Sequence, residues 1–221
     1  MKQVLDSLLF LIELHANNAF VVYSSTLSSQ IRRSYAAKAF LSFQRAMHHY
    51  EIVRLCALWD RPELPRDNIP TVVELIDDAA VIQTLVDETR KQWANVSDDE
   101  ELNRVHLRCG DERATLANRE LGNLISDTRS IRASEQLKSV MNLRDKRLAH
   151  SLEFTKREEK YGPVIPMKHG QETELLQLSI PIVERLYCWV NGTSFSIADS
   201  AKIDRANAEA LWRGCKFDVL R

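Results

Sequence analysis

The chain is poor in the residues that punctuate structure. Its 221 residues include only 6 glycines and 6 prolines, which leaves few turns and favours long helices. Its four cysteines, Cys56, Cys109, Cys188 and Cys215, form no C-x-x-C pair and stand at no zinc-finger spacing from a histidine. They read as free thiols of a reducing compartment rather than as a disulfide framework or a metal site. An excess of either charge is also missing. With 30 Lys and Arg against 31 Asp and Glu, the net charge of −1 excludes a uniformly basic surface, so any nucleic-acid site has to be local. The apolar run after Met1-Lys2 is interrupted by Asp6 and Glu13 and leads to no small-residue cleavage site. Neither a secretory signal nor a membrane span of ~20 residues is expected, and the chain reads as cytoplasmic. No segment alternates with period two between hairpin turns, and no internal repeat is present. A glycine-rich phosphate loop, a G-x-S-x-G elbow and an H-E-x-x-H pair are absent as well.

What is present is helical patterning. Hydrophobic residues make up 44% and charged residues 28%, the balance of a globular domain with a real core. Leu5, Leu8, Leu9, Ile12, Ala16 and Phe20 share a face of a first helix over about 4–23. A long second helix is expected over about 29–59, marked by Tyr35, Phe40, Phe43, Met47, Ile52 and Leu55, and stopped by Asp60-Arg61-Pro62. Asn68 and Pro70 suit the start of a short helix over 69–78, and another is expected over 80–93. Ser97-Asp98-Asp99-Glu100 opens a short piece, and 111–130 is helical again. Ser134 can cap a helix beginning near Glu135. The stretch 154–170, with Gly162, Pro163 and Pro166, reads as a loop. A helix over 173–191 contains Pro181, which should kink it, and ends at Gly192; a last helix covers about 204–213. The fold class is all-α, a helical bundle in one domain over 1–221, with 193–221 readable as a C-terminal helical extension.

Most polar clusters have plain structural readings. His48 and His49 are adjacent, so they point about 100° apart and make a poor two-point metal ligand. The acidic pairs at 77–78 and 98–101 fall at helix ends and lack calcium-loop spacing. Arg104-Val105-His106-Leu107-Arg108 reads as a surface turn. No metal or cofactor is called for by any of them.

One stretch is different. In Met141 to Leu152, Arg144 falls on the apolar stripe of Leu137, Val140, Met141 and Leu148, where a cation needs a carboxylate, a carbonyl or a bound anion. His150, suited to proton transfer near neutral pH, comes six residues later. From Lys138 to Lys160 the chain carries seven basic residues, Lys138, Arg144, Lys146, Arg147, Lys156, Arg157 and Lys160, against four acids, a local excess in a neutral chain. Such a focus suits a phosphodiester. Residues six apart on a straight helix diverge by about 120°, so Arg144 and His150 meet at one atom only through helix distortion or a second copy of the chain. The plain alternative is an interfacial arginine paired with an acid, beside a surface histidine.

Arg144-Asp145-Lys146-Arg147-Leu148-Ala149-His150 resembles the R-x(4–6)-H signature of the HEPN superfamily, with a polar residue directly after the arginine. The longer Leu-Arg-Asp-Lys-Arg-Leu-Ala-His-Ser is similar to the AbiU-type abortive-infection branch. The resemblance implies a helical bundle that dimerises around two facing motifs, and a metal-independent endoribonuclease of phage defence or toxin–antitoxin systems. It assigns catalytic roles to Arg144, Asp145 and His150. The commonest residue at the second position is asparagine, where this chain has Asp145. Members paired with a nucleotidyltransferase antitoxin often carry a tyrosine two residues after the histidine, where this chain has Leu152. The residue chemistry agrees: His150 can move protons and Arg144 can hold a phosphate, with Lys146, Arg147, Lys156 and Arg157 along an RNA backbone. The expected partners are an RNA substrate, a second copy and an antitoxin or inhibitor protein, with no membrane. The alternative class is a non-catalytic helical dimer module that binds RNA, a nucleotide or a protein through the same basic groove.

Overall fold

The structure is a computed structural model that describes residues 1–94 and 99–219. Among these residues there is no strand, and the fold is all-α. The helices are α1 (Lys2–Val21), α2 (Tyr35–Leu58), α3 (Ile69–Ile76), α4 (Ala79–Lys91), α5 (Glu100–Ala133), α6 (Glu135–Leu143), α7 (Lys156–Tyr161), α8 (Gln171–Asn191) and α9 (Ile197–Arg213). The chain forms two compact units. One comprises Met1–Leu5, Trp59–Ser134 and Leu178–Phe195, and the other Asp6–Leu58, Glu135–Gln177 and Ser196–Arg221.

In the first unit, α3 and α4 pack on α5. The side chain of Asn68 accepts from the Thr71 N–H at 2.8 Å and starts α3, with Pro70 in the first turn where its missing N–H is harmless. Asp78 caps α4 through the N–H groups of Ala80 and Val81. Val86, Ala114 and Ala117 form a core with Ile82 and Trp189 against it. The two segments expected around 97–100 and 111–130 are largely one helix, α5, of 34 residues, capped by Asp99. Ser97 and Asp98 lie outside the described residues. Arg104 to Arg108 therefore belong to a helix and not to a turn. Gly110, which costs a helix about 1 kcal/mol relative to alanine, sits where α4 comes close. A Cβ there would lie 3.1 Å from the Arg90 carbonyl oxygen and from Trp93 Cβ. At the end of α8, Gly192 takes the left-handed conformation (φ 69°), and a Cβ would run into the Gln92 side chain.

In the second unit the core is built from Leu8, Leu11, Leu27, Ile52, Leu55, Val140, Leu175, Leu176 and Ile197, all essentially buried. Each such side chain contributes on the order of 2 kcal/mol. α2 starts at Tyr35, later than expected. The serine-rich stretch before it spends its side chains on local bonds, Ser28 Oγ to the Ser25 carbonyl and Ser29 Oγ to the Thr26 carbonyl, both 3.1 Å. Such bonds compete with helix formation. At 24 residues α2 spans about 36 Å. α9 is anchored through Trp212 Nε1, which donates to Asn17 of α1 at 2.9 Å, and the tail after it places Phe217 on Phe40 of α2.

Two buried carboxylates join the helices of this unit. Glu51 of α2 is 1% exposed. It meets His15 Nδ1 at 2.6 Å and accepts from Asn18 Nδ2 at 2.5 Å and from the Tyr23 hydroxyl at 2.9 Å. Glu172, at the start of α8, is fully buried, meets His48 Nε2 of α2 at 3.2 Å and accepts from the Gly170 N–H at 3.1 Å. Burial, and then the charges of Glu51 and Glu172, push the Tyr23 phenol above its ordinary range. Burial also pushes the Glu172 carboxyl up, but the hydrogen bond from His48 and the other favourable contacts outweigh it and leave it lowered. His48 thus has a structural partner, consistent with its packing role.

The sequence suggested no helix apolar enough for a membrane. By length and composition α1 does qualify, the one such helix among the described residues. Half of it is buried in the protein, and Val4, Leu5, Leu8, Leu11, Ile12, Leu14 and Val21 of it are core residues.

Asn68→Ala removes the α3 cap and the bond from Asn68 Nδ2 to the Arg61 carbonyl. It should lower stability by about 1–2 kcal/mol, read from the midpoint of urea unfolding.

Candidate functional site

The motif begins where α6 ends. Leu137, Val140 and Met141 are buried as the sequence stripe implies. At Arg144 the backbone leaves α geometry for one π turn, Arg144–Leu148, closed by the Ala149 N–H donating to the Arg144 carbonyl at 2.8 Å. Such turns hold one extra residue and re-aim the side chains beyond them. The helix is thus distorted between Arg144 and His150. The helix then stops, and His150 lies in irregular backbone, exposed. Its ring makes no hydrogen bond among the described residues.

Arg144 is half-buried, with 18% of its side chain exposed, and the charge is met by its own neighbour. Asp145 Oδ1 accepts from Arg144 Nε at 2.8 Å and lies 2.7 Å from Nη2. Asp145 is thus placed to orient the guanidinium.

The segment carrying His150 is tied at both ends. Thr155 Oγ1 donates to Asn142 Oδ1 at 2.6 Å, and both residues are buried. Thr155 also caps α7 by accepting from the Glu158 N–H, while Glu158 Oε2 accepts from the Thr155 N–H at 2.9 Å. The same Glu158 carboxylate receives Asn142 Nδ2 at 3.2 Å and Lys146 Nζ at 3.0 and 3.1 Å. The Thr155 N–H and then Lys146 and Asn142 hold the Glu158 carboxyl down at about 2. Lys146 is further placed over the Phe154 ring at 5.5 Å. The result is a clamp that fastens residues 142 and 146 to residues 155 and 158 and leaves the stretch between them projecting with His150.

A family model for AbiU2, of the HEPN type, matches residues 2–211. The chain belongs to the AbiU2 family of HEPN proteins. No curated protein and no solved structure matches it. Family membership points to an abortive-infection effector of RNase type as the class of function to test.

Within this HEPN chain the four expected RNA contacts differ in circumstance. Arg147 and Lys156 are exposed and Arg157 is half-buried, and none of the three has an ion pair among the described residues. Lys146 is held by Glu158. The structure brings Arg144 and Asp145 together and joins neither of them to His150 by a hydrogen bond. Among the described residues no group of three or more His, Cys, Asp or Glu is placed to hold a metal ion. Sequence reasoning missed Asn142, Thr155 and Glu158, and with them α7, which occupies part of the expected 154–170 loop. The signal was available: Thr155-Lys156-Arg157-Glu158 is the S/T-x-x-E pattern of a capping box.

Glu158→Gln should destabilise the protein near neutral pH by weakening the bonds from Thr155 and Lys146. Because the folded-state carboxyl is depressed, its stabilisation is complete above the ordinary value of 4.5 and is lost as pH falls toward about 2. The gap in urea midpoint between wild type and variant should therefore close over that interval.

Proposed function

We propose that this HEPN protein is a metal-independent endoribonuclease, a cytoplasmic effector of phage defence or of a toxin–antitoxin pair, acting as a homodimer with the two motifs in one cleft. The observation that supports the reading is the form of the motif: an anchored Arg144–Asp145 pair on a π turn, with an exposed His150 on the clamped segment beyond it. In the proposed reaction His150 takes the proton of a ribose 2′-OH. That oxygen attacks the adjacent phosphorus, the charge that develops on the phosphorane oxygens is met by Arg144, and the departing 5′-oxygen takes a proton from the protonated His150 of the second copy as its bond to phosphorus breaks. Two N–H groups of Arg144 go to Asp145, which fixes the plane in which the guanidinium meets a phosphate. In-line attack needs a ribose free to turn, so single-stranded or loop RNA is the substrate class. An antitoxin or inhibitor protein is the expected partner that restrains the activity.

A rival reading has one observation in its favour. Arg144 and Lys146 both carry ion pairs within the chain, as they would in a non-catalytic dimer module that binds RNA, a nucleotide or a protein.

Incubation with total RNA in EDTA, and then sequencing of new ends, separates the two. The wild type should cut. His150→Ala and Arg144→Ala, each shown to be folded by circular dichroism, should lose cleavage by about 10²-fold or more. Undiminished cleavage by both variants, or no cleavage by the wild type, overturns the catalytic reading.

A further inference from the structure

Between Glu13 and Glu51 the chain has no aspartate or glutamate, whereas residues 32–54 carry Arg32, Arg33, Lys38, Arg45 and Arg54. Glu51, the single acid of that stretch, is 1% exposed and accepts from Asn18 and Tyr23. None of the five cations has a carboxylate partner among the described residues, and the Nε of Arg54 is buried without a hydrogen-bond partner. This is a second basic focus, with fewer cations than the one around His150 but a larger net excess of positive charge, and Lys38, Arg45 and Arg54 of it lie on α2.

Helical spacing orders one face of α2. Lys38, Ser42, Arg45 and His49 stand at i, i+4, i+7 and i+11, one row along α2, and all four are exposed. Beside the row lie Ala39 and Ala46, also exposed, and beyond them Phe43 and Tyr50, 45% and 46% exposed. Tyr50 makes an edge contact with Phe10, centroids 6.1 Å apart, and Arg54 covers the other aromatic partner of that group, its guanidinium 5.4 Å from the Phe10 ring centre. Tyr35, 89% exposed, stands at the start of the helix beneath Lys38. A line of cations thus runs parallel to a line of exposed rings, with small side chains between them. His49 is lowered from its ordinary value by partial burial and then by His48 and Arg45.

The row leads to the motif. Cys56, seven residues after His49 and so on the same face, donates to the Val140 carbonyl of α6 at 3.8 Å. α2 packs on α6 and on the π turn. On the opposite border, the groove lined by Asp6, Phe10, Glu13 and Asp204 carries three carboxylates and repels a polyanion, which bounds the face at Phe10.

We infer that the exposed face of α2 is a single-stranded RNA track: Lys38, Arg45 and Arg54 take phosphates, Phe43 and Tyr50 stack bases, and the strand is led toward Arg144 and His150. Charge decides the occupant. A second copy of the same face would set these cations against themselves, whereas a phosphodiester chain neutralises them and releases counterions. Stackable rings beside a cation row suit unpaired bases, which have free π faces, and not a duplex. The inference names the substrate path of the proposed nuclease and rests on that reading for its destination, though not for the binding itself.

The test uses the full chain carrying His150→Ala, so that the probe survives, and fluorescein-labelled single-stranded RNA of about 12 nucleotides, with anisotropy measured across a salt series. Lys38→Ala with Arg45→Ala should weaken binding about ten-fold or more and reduce the slope of log affinity against log salt by about 1.4. Phe43→Ala with Tyr50→Leu should weaken it about ten-fold with the salt slope unchanged. All four side chains are exposed, so the variants should keep the wild-type circular dichroism. The same substitutions in the chain that retains His150 should raise the RNA concentration needed for cleavage. RNA binding that depends on these residues in a protein that cuts nothing supports the track and ends the nuclease reading. Unchanged binding by both pairs of variants, with cleavage intact, overturns the track and leaves the nuclease standing. Equal affinity for duplex RNA, or variants that shift only the monomer–dimer balance in sedimentation, also overturns it.

Discussion

Glu51 decides how α2 sits. A carboxylate in the apolar core is costly unless its oxygens are fully engaged, and here His15, Asn18 and Tyr23 engage them. That requirement fixes the rotation of α2 about its axis. With Glu51 turned inward, His48 reaches Glu172, and Cys56 reaches the carbonyl of Val140. Lys38, Arg45 and His49 are left outside. One buried charge thus sets both the packing of α2 on α6, which carries the motif, and the sign of the surface beside it.

The motif itself depends on two departures from regular structure. Arg144 opens the π turn just past α6, and its charge is met by the adjacent Asp145. The π turn then gives the backbone an extra residue, and the helix ends before His150. The clamp of Asn142, Thr155, Glu158 and Lys146 holds the segment beyond the turn. Arginine, histidine and clamp are all encoded within residues 142–158. The clamp is held by side-chain hydrogen bonds, of which that from Thr155 to Asn142 is buried, rather than by helix propensity.

Helix existence was legible wherever a cap and an apolar stripe agreed. Asn68 with Pro70 opened α3, and Gly192 closed α8, as their backbone chemistry demands. Failures came where a weak breaker met a tertiary contact. The 97–100 and 111–130 segments were read apart, yet they are largely one helix whose Gly110 serves the approach of α4. The glycine and prolines after Tyr161 hid the capping box just before it. The hydrophobic pattern made α2 too long because it does not register serine side chains that bond to nearby carbonyls. The charge count around His150 was correct, but it passed over the acid-free run from residue 14 to residue 50.

The amino-acid sequence by itself determined the all-α class, the membership in the AbiU2 family of HEPN proteins, and the motif of Arg144, Asp145 and His150. Each of these depends on residue type and spacing along the chain. Tertiary structure alone decided which cations are spent and which are open. Lys146 looked available and is bound to Glu158, while Lys38 and Arg45, unremarked in the sequence, stand exposed without a carboxylate. The reason is that a charge's availability depends on what lies within a few ångströms in space, and twelve residues of chain separate Lys146 from its partner.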